Sequence, residues 1–322
     1  MKSTTASKII FVLLIAFNIS YSLVSAQNDT MYIMKSGVVI NKQSIKLADV
    51  DSIIFYKPTV ATIQTVLIPS GTFTMGSPNT ELFRLDDETQ FTVTLSSFRM
   101  SKYEITNAQF ATFLNAKNIG SDGKYSAGNY PSQALVYVGA PGWDYGLHYN
   151  GTQWIPVSGY ENAPIVYVTW FGAAEYAAYV GGLLPTEAQW EYACRAAANT
   201  PFNTGGCLTN LQANYWWLYP YSTCINTGSN GLSRTQQVGT YPANAYGLYD
   251  MHGNVWEWCS DWYGTYATTA QTNPTGATTG SNRVIRGGGW RDDARSCRSS
   301  RRSSGGPGSY SDNIGFRVAF AL

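Results

Sequence analysis

Histidine and charged residues are scarce in this chain of 322 residues. It contains two histidines, and Asp, Glu, Lys and Arg together make up 13% of the sequence. His148 and His252 do not form the closely spaced pair that zinc sites use, so the sequence offers no case for zinc. The near balance of 21 basic and 20 acidic residues gives no electrostatic reason to expect nucleic acid as a partner. Nucleophile elbows, phosphate-binding loops and dinucleotide fingerprints are also missing.

Long apolar runs are absent beyond the N-terminus, so we expect no transmembrane segment of roughly 20 apolar residues. Lys2 and Lys8 precede an apolar run of about half that length, and residues 24–26 (VSA) are small enough for signal peptidase. We therefore expect a signal peptide over residues 1–26 and a mature chain that is exported to the periplasm, the cell surface or the medium. Because no cysteine follows closely, the sequence argues against a lipid anchor there.

Cysteines are also few, and their number is odd. The five cysteines of an exported chain cannot all pair within it. Cys207 and Cys224 flank an aromatic loop, so we predict a disulfide between them, with two buried thiols as the alternative. Cys194 lies in a helical pattern and is assigned to the core. For Cys259 and Cys297, a disulfide and free buried thiols are both open.

The chain is rich in aromatic and apolar residues, since Trp, Tyr and Phe make up 14% of it and all hydrophobic residues 44%. This mix predicts a compact, loop-rich fold and argues against intrinsic disorder. We place a short N-terminal β segment at residues 27–61, with two strand-forming runs around a turn, and a main domain at residues 62–322. Three helices are predicted in the main domain: over residues 107–115 with Thr106 as the cap, after Thr169, and after Thr186, which forms a capping box with Gln189.

Six sequence blocks follow one another along residues 62–322. They are IPSGTFTMGS, YEITNAQFATFLNA, PIVYVTWFGAAEYAAYVGGLLPTEAQWEYACRAA, YGLYDMHGNVWEWCSDWY, RVIRGGGWRDDARSCRSSRR and NIGFRVAF. In content and order they resemble the formylglycine-generating enzyme family, the sulfatase-modifying-factor domain. The resemblance implies a single α+β domain of the C-type-lectin-related kind, with little regular secondary structure and with bound Ca²⁺.

The block YDMHGNVWEW indicates a structural calcium site. Asp250 and Glu257 supply hard oxygen ligands, and Gly253 permits a turn that directs backbone carbonyls inward. The resemblance assigns to Ca²⁺ the residues Asp250, Gly253 (carbonyl), Val255 (carbonyl) and Glu257. Two carboxylates that only tie down the loop by hydrogen bonds are the alternative. A second family site, which lacks a carboxylate here, falls on Asn214, Tyr215 (carbonyl), Asn230 and Leu232 (carbonyl).

The family's chemistry uses two thiolates in a Cys-x4-Cys arrangement, which bind Cu(I) and convert a target cysteine to formylglycine with oxygen. The resemblance places these positions on Asp292 and Cys297, so a carboxylate stands in place of one thiolate. Gly289 and Asp293 stand where the active enzymes have Ser and His. Because Cu(I) requires paired soft sulfur ligands, the pattern argues against copper and against catalysis. If the chain is an enzyme, Cys297 is its candidate catalytic residue.

The segment 291–313 contains no Val, Ile, Leu, Met, Phe or Trp. Apolar residues alternate on both sides of it, so we expect an ordered segment that is held at both ends. The residues expected to face outward are Arg291, Asp292, Asp293, Arg295, Ser296, Ser299, Ser300, Arg302, Ser303, Ser304, Gly305, Gly306, Gly308, Ser309, Tyr310, Ser311, Asp312 and Asn313. They include no Lys, Glu, Gln, Met or Trp, the residues that an NNY codon cannot encode. This composition resembles the variable proteins of diversity-generating retroelements, and drift of a Ser- and Gly-rich loop is the alternative.

We predict that this surface binds a protein, peptide or glycan ligand without catalysis, on a calcium-ordered scaffold. The candidate ligand-binding residues are Trp290, Arg291, Asp292, Asp293, Arg295, Ser296, Ser299, Arg302, Tyr310, Asp312 and Asn313. Arg supplies forked donors, Tyr a rigid amphipathic contact, and Ser, Gly and Asn adaptable contacts, as in antibody paratopes. One alternative is a formylglycine-generating oxidoreductase that acts on a cysteine of a sulfatase-type substrate. Another is a structural component of a cell-surface complex, with residues 27–57 as the docking piece.

Overall fold

The computed structural model describes residues 30–35, 38–44, 63–138, 146–226 and 234–322. It divides into two units, residues 1–58 and 59–322. The predicted signal peptide, Asn230 and Leu232 lie outside the described residues. In the first unit, β1 (Thr30–Lys35) and β2 (Val38–Ser44) pair in antiparallel fashion, which is the hairpin that the two strand-forming runs predict.

The described part of the second unit combines three α-helices with short strands, and most of its chain lies in loops. The helices are α1 (Asn107–Ala116), α2 (Trp170–Tyr179) and α3 (Glu187–Arg195). The strands are β3 (Thr65–Ile68), β4 (Gly71–Met75), β5 (Phe91–Leu95), β6 (Phe98–Ser101), β7 (Leu147–Tyr149), β8 (Trp154–Pro156), β9 (Trp256–Trp262), β10 (Gln271–Thr272), β11 (Arg283–Arg286), β12 (Arg302–Gly305), β13 (Ile314–Gly315) and β14 (Ala319–Phe320). They form small sheets in the orders β10-β5-β4, β12-β11-β9-β13, β14-β6-β3 and β7-β8. The predicted α+β class with little regular secondary structure is confirmed.

The helices begin at the residues that the sequence predicts, because the caps are local hydrogen bonds. At α1, Gln109 donates its backbone N–H to the Thr106 hydroxyl over 3.2 Å and accepts the Thr106 N–H over 2.9 Å. Thr186 and Gln189 form the same capping box at α3, with distances of 3.1 and 3.0 Å. Thr169 caps α2. Such caps satisfy backbone N–H groups that a helix leaves unpaired.

Aromatic side chains fill the core on either side of the four-stranded sheet. Phe110, Tyr176 and Phe316 lie with ring centroids 5.5 to 6.0 Å apart in the cluster under α1 and α2. A second hydrophobic cluster lies around α3 and contains Trp190. It also contains Cys194, as predicted. A small third cluster lies beneath the C-terminal segment. Within the described residues, no helix is long and apolar enough to span a membrane.

Candidate functional site

The C-terminal segment leaves the four-stranded sheet and returns to it twice. β11 pairs antiparallel with β12, so that Arg286 lies opposite Arg302, and β13 pairs parallel with β9. Residues 287–301 and 306–313 therefore form two loops that are fixed at both ends. The prediction of an ordered segment is confirmed.

Part of the segment faces the interior, so the prediction of outward-facing side chains is wrong for Ser299, Ser300 and Arg302. Their exposed fractions are 0%, 0% and 2%. Arg302 donates to both carboxylate oxygens of Glu187, over 2.7 and 2.9 Å. Glu187 lies 115 residues earlier in the chain, and no local pattern shows that it provides the partner carboxylate. A buried guanidinium needs such a partner, because an unpaired buried charge is costly.

Arg298 is buried in the same way and fixes a distant loop to the segment. Its guanidinium donates to both carboxylate oxygens of Glu88, over 2.7 and 2.8 Å, and to Glu81 over 2.6 Å. It also donates to the Phe83 carbonyl over 2.8 Å. The loop that contains these residues presents Leu82 and Phe83 to solvent, with exposed fractions of 53% and 44%.

Asp292, which the resemblance assigns to the position of a family cysteine, connects three parts of the site by hydrogen bonds. Its carboxylate accepts hydrogen bonds from the Trp256 indole (2.8 Å), the Gly289 N–H (3.0 Å) and the Asn313 amide (3.1 Å). Burial raises the pKa of Asp292, while these hydrogen bonds and the charge of Arg291 lower it. Asp292 and the buried Asn313 therefore form internal contacts, although both were candidates for ligand binding.

Asp293 caps the 3-10 helix Ala294–Cys297. Its Oδ1 accepts the backbone N–H of Ser296 over 3.0 Å and the Ser296 hydroxyl over 3.2 Å. Its Oδ2 forms an ion pair with Arg295, whose side chain is 50% exposed. Asp293 and Ser296 thus set the local backbone, and Arg295 extends to solvent from it.

Of the two disulfides considered from the sequence, one is present and the other is not. The Cys207–Cys224 disulfide is confirmed. The Cys259–Cys297 disulfide is wrong, because both residues are buried free thiols. Cys259 packs in the cluster around α3, whereas Cys297 packs in the separate cluster beneath the C-terminal segment.

Cys297 lies in surroundings that favour the protonated thiol. Burial raises the pKa of Cys297 well above its ordinary value, and the nearby carboxylates of Asp292 and Asp293 raise it further. Gly288, at φ +74°, passes so close that a Cβ there would lie 2.6 Å from the Cys297 sulfur. The thiolate is the form that binds metal and attacks as a nucleophile, so this site disfavours both roles.

His252 lies beside Cys297 as a neutral imidazole. Its Nε2 accepts the backbone N–H of Asn203 over 3.0 Å, so the proton is on Nδ1, which donates to the Cys297 carbonyl over 2.7 Å. Burial lowers the pKa of His252 to about 4. With Nε2 and Nδ1 both engaged, His252 supports the backbone of Cys297.

The remaining side chains of the segment reach solvent next to aromatic residues from other loops. We call Phe83, Trp216, Tyr219, Arg291, Arg295 and Tyr310 the arginine–aromatic surface. The side chain of Arg291 is 47% exposed, and Trp216 and Tyr219 are 47% and 51% exposed. Tyr310 is 45% exposed.

Two pairs of these residues are in direct contact. The Arg295 guanidinium lies 5.1 Å from the centre of the Phe83 ring, and the rings of Trp216 and Tyr219 are 4.9 Å apart. Backbone hydrogen bonds tie these aromatic residues to the segment, since Trp216 donates to the Asp292 carbonyl and Tyr219 accepts from Ala294.

The other end of the arginine–aromatic surface is built from the loop 306–313. Arg291 pairs with Asp312 over 2.7 Å, and the half-buried Trp290 donates its indole N–H to the Asp312 carbonyl over 3.0 Å. The Tyr310 ring lies 4.6 Å from that of Tyr137. Exposed arginine and aromatic side chains therefore lie at both loops of the segment.

Of the calcium candidates, Asp250, Gly253 and Val255 lie on the turn that precedes β9, and Glu257 lies within β9. Asp250 adopts φ +57°, and its carboxylate accepts the Gly239 N–H over 2.7 Å. Gly253 adopts φ +80°, and a Cβ there would lie 2.3 Å from the Asn214 carbonyl oxygen, so only glycine fits. Asn214 of the second predicted site therefore lies beside this turn, and it also donates to the Asn254 side chain over 3.1 Å.

Glu257, the second predicted carboxylate ligand, is engaged by protein donors. Arg317 donates to its two oxygens over 2.6 and 2.7 Å, and the Trp190 indole donates over 2.9 Å. Val255 is fully buried in a small apolar cluster. In the described ranges, no group of three or more His, Cys, Asp or Glu side chains is arranged to hold a metal ion. A calcium site here would therefore rely on amide and carbonyl oxygens in addition to carboxylates.

The fold and these blocks agree with comparisons against known proteins. Residues 53–322 match the sulfatase-modifying factor enzyme 1-like domain. The chain is 36% identical over 286 residues to the formylglycine-generating enzyme of Streptomyces coelicolor, an alignment that covers 79% of this chain and 88% of that enzyme. The chain belongs to this family, which includes formylglycine-generating enzymes.

Two solved structures show the same fold. PvdO from Pseudomonas aeruginosa superimposes with a TM-score of 0.62 at 28% identity, over 80% of this chain and 94% of that one. Treponema denticola variable protein 1 superimposes with a TM-score of 0.59 at 21% identity, over 82% and 98%. At that identity, the second similarity concerns the fold alone.

Sequence reasoning missed one exposed member of the arginine–aromatic surface and one buried acid near the calcium candidates. Phe83 comes from a loop that no sequence pattern links to the C-terminal segment, whereas the sequence offers Trp216 and Tyr219 as aromatic residues that line the same cleft, with a place in the core as the alternative. Trp216 and Tyr219 do lie within ANYWWLYPYSTC, whose density of aromatic residues is the available signal. Glu104 lies in the YEIT block, directly before a helix, and has no acidic neighbour in sequence.

Proposed function

We propose that this chain is an exported, non-catalytic member of its family, which binds a protein or peptide partner through the arginine–aromatic surface. One observation carries the proposal. The two positions that correspond to the family's copper cysteines point into the protein, whereas Arg291, Arg295 and the aromatic residues beside them point to solvent.

The absence of catalysis is supported by what Asp292 and Cys297 do instead. Asp292 accepts three internal hydrogen bonds, and Cys297 is a buried thiol whose pKa is raised. Cu(I) needs two soft ligands in reach of solvent and substrate, and this pair offers a carboxylate and an inaccessible thiol. Copper has no part in the proposed function.

The surface has the composition of a protein-binding site. Trp, Tyr and Arg are the residue types that contribute most to binding energy at protein interfaces, and all three are exposed here. Phe83 is held at φ +61°, a backbone conformation that costs about 1–3 kcal/mol for such a residue. The buried ion pairs of Arg298 hold the loop in that conformation. In this conformation the Phe83 ring lies beside Arg295.

Calcium belongs to the proposal as a structural ion. The turn at residues 250–254 uses positive φ angles at Asp250, Gly253 and Asn254, and it buries carboxylate and amide oxygens close together. Such oxygens suit Ca²⁺, which takes carboxylate, amide and carbonyl ligands in flexible geometry. The ion would order the loops that lead into β9 and thereby support Trp256 beneath Asp292.

Under the retroelement hypothesis, we expect diversification only at the exposed residues of the C-terminal segment. Random change at Ser299, Ser300 or Arg302 would break buried contacts, so diversification is compatible with the fold at positions such as 291, 295 and 310. The test is the neighbouring DNA. We expect a near-copy of the 3′ segment with adenines at the variable codons and a reverse transcriptase gene, and the absence of both would contradict the hypothesis.

Peptide display tests partner binding. The mature protein is immobilised, a phage-displayed random peptide library is selected on it, and enriched peptides are measured by titration. We expect Arg295→Ala and Tyr219→Ala each to weaken binding about tenfold or more. Arg99→Ala and Leu183→Ala, at exposed positions on other parts of the protein, serve as controls. Equal binding by all four variants would overturn the proposal, and selection on a glycan array but not by peptides would assign the glycan alternative.

A further inference from the structure

A pocket that opens to solvent lies between the C-terminal ends of α1 and α2 and the turn at residues 125–129. Its volume is about 240 Å³, and it shares no residue with the arginine–aromatic surface. Pockets for drug-sized ligands measure roughly 300–1,000 Å³, so this one suits a single small ring. The lining residues that determine its chemistry are Phe113, Lys117, Tyr125, Asn129, Glu175 and Tyr179.

The buried carboxylate of Glu175 fixes the turn that forms one wall of this pocket. It accepts the backbone N–H groups of Asn129 and Tyr130 and, over 3.2 Å, the side-chain amide of Asn129. Gly128 donates its N–H to the Tyr125 carbonyl over 3.0 Å. A Cβ at Gly128 would lie 2.5 Å from the Tyr125 ring and 2.6 Å from the Glu175 carboxylate. The turn therefore packs tightly against α2, with the Tyr125 ring beside it.

Lys117 brings a positive charge to the same pocket. Its ammonium nitrogen lies 5.2 Å from the centre of the Tyr179 ring and 5.6 Å from the centre of the Tyr125 ring. The fully buried Phe113 supports Tyr179 from the core, with ring centres 5.1 Å apart. A lysine ammonium is strongly hydrated and usually extends into water. This one lies over two aromatic rings, and it forms no ion pair with any carboxylate that the structure describes.

Glu175 does not balance the charge of Lys117. Its carboxylate is 4% exposed, and three N–H groups from the turn already donate to it. A cationic ligand would therefore meet the Lys117 ammonium and a carboxylate whose oxygens are engaged. An anionic ligand would form a charge-assisted hydrogen bond with the ammonium, which is stronger than a neutral one. The pocket therefore favours an anion.

We propose that this pocket binds one carboxylate-bearing sugar, a uronic acid unit of an anionic glycan. The sugar carboxylate pairs with the Lys117 ammonium. The C–H face of the sugar ring packs on Tyr125 and Tyr179, because the faces of aromatic rings are electron-rich. The sugar hydroxyls donate to the side-chain carbonyl of Asn129, which is exposed at the pocket. This site is separate from the surface that we propose for a protein or peptide partner.

Titration with three small probes tests the ligand class. The mature protein is titrated with glucuronate, with glucose as the neutral counterpart, and with cyclohexanecarboxylate as a carboxylate without hydroxyl groups. Binding is followed by saturation-transfer NMR. We expect glucuronate to bind at least about tenfold more tightly than either of the other two, because it alone offers both the charge and the hydroxyl groups.

Two variants locate the binding in this pocket. Lys117→Met keeps the apolar stem and removes the ammonium, and Ala178→Phe fills the pocket from an exposed position of α2. Each should weaken glucuronate binding about tenfold or more. Lys124→Met, at an exposed lysine of the adjoining loop, and Arg295→Ala, in the arginine–aromatic surface, are the controls and should bind as the wild type does. Thermal melting confirms that each variant is folded.

Three results would overturn the inference. The first is glucose or cyclohexanecarboxylate that binds as tightly as glucuronate, and the second is glucuronate that does not bind saturably. The third is wild-type affinity in Lys117→Met together with a lower melting temperature. That result would assign Lys117 to the end of α1 alone, where a positive charge stabilises the helix. Each of these results leaves peptide binding through the arginine–aromatic surface untouched, because Arg295→Ala tests that proposal separately.

Discussion

The indole of Trp256 donates a 2.8 Å hydrogen bond to the carboxylate of Asp292. Trp256 begins β9, and Asp292 lies in the loop that follows β11, so this bond ties the base of the exposed loop to the central sheet. Asp292, which the resemblance assigns to a copper-ligand position of the family, forms a structural contact. With Asp292 fixed to the sheet, the partly exposed side chains of Arg291 and Arg295 face solvent.

Loss of the Asp292 carboxylate should destabilise the protein without any ligand present. In Asp292→Ala, the buried N–H groups of Trp256 and Asn313 lose their acceptor, and each unsatisfied group costs about 1–3 kcal/mol. Denaturant unfolding measures the change. Asp86→Ala, at a fully exposed carboxylate, is the control and should stay within about 0.5 kcal/mol of the wild type. Equal stability of the two variants would show that Asp292 is not a structural contact.

Arg295 and Arg298 lie three residues apart, and their substitution should affect different properties: Arg298 the stability of the fold, and Arg295 the binding of a peptide. Arg298→Met leaves Glu81 and Glu88 buried without their cation, so we expect the free energy of unfolding to fall by about 3–5 kcal/mol. Arg295→Ala removes an exposed side chain and should leave unfolding nearly unchanged while it weakens peptide binding. If both variants lose stability equally, the division between buried and exposed arginines is wrong.

The five cysteines should yield one disulfide and three protected thiols. Cys207 and Cys224 close a loop with a sequence separation of 17, and loss of such a crosslink costs about 3 kcal/mol. The loop carries Trp216 and Tyr219, so Cys207→Ser with Cys224→Ser should also weaken peptide binding. Thiol titration should find three cysteines that react only after unfolding. A mass-mapped peptide that links Cys259 to Cys297 would contradict this assignment.

Asp261 should make stability depend on pH. Burial raises its pKa to about 7, and the negative charge of Glu187 contributes to the rise, although the Glu187 N–H and the Ser260 hydroxyl lower it. The unfolded value is about 4. Between these values the folded state binds more protons than the unfolded state, so stability falls as pH rises through this window.

The matched variant for Asp261 is Asp261→Asn, which does not titrate. Its stability relative to the wild type should increase as pH rises from about 4 to about 7, and denaturant unfolding at a series of pH values measures this difference. The difference in stability between the variant and the wild type should be largest above the raised pKa of about 7. A constant difference across the range would show that Asp261 titrates normally.

Local signals in the sequence predicted the helices, the aromatic-loop disulfide and the ordered flanks of the C-terminal segment. Thr106, Thr169 and Thr186 act through hydrogen bonds to residues three positions away, so their sequence context contains the whole interaction. The resemblance of the six sequence blocks to the family predicted the fold.

The burial of Arg302 could not be predicted in the same way, although the family pattern places Arg298 among the scaffold positions of the segment. Arg291 and Arg295 are exposed, while Arg298 and Arg302 are buried, in a stretch of uniform composition. What separates them is the location of carboxylates that lie 115 to 217 residues away in sequence. Glu104 was missed for the same reason, since its partners come from the turn that precedes β9.

The most direct test of the central claim is an assay for formylglycine. The mature protein, supplied with Cu(I) and oxygen, is incubated with a cysteine-containing sulfatase-type peptide, and the product is read by mass spectrometry. The formylglycine-generating enzyme of Streptomyces coelicolor is the positive control. We expect the peptide to remain unmodified, and Cys297→Ala to behave as the wild type does. Formylglycine that forms with the wild type and is lost in Cys297→Ala would contradict the account and establish catalysis.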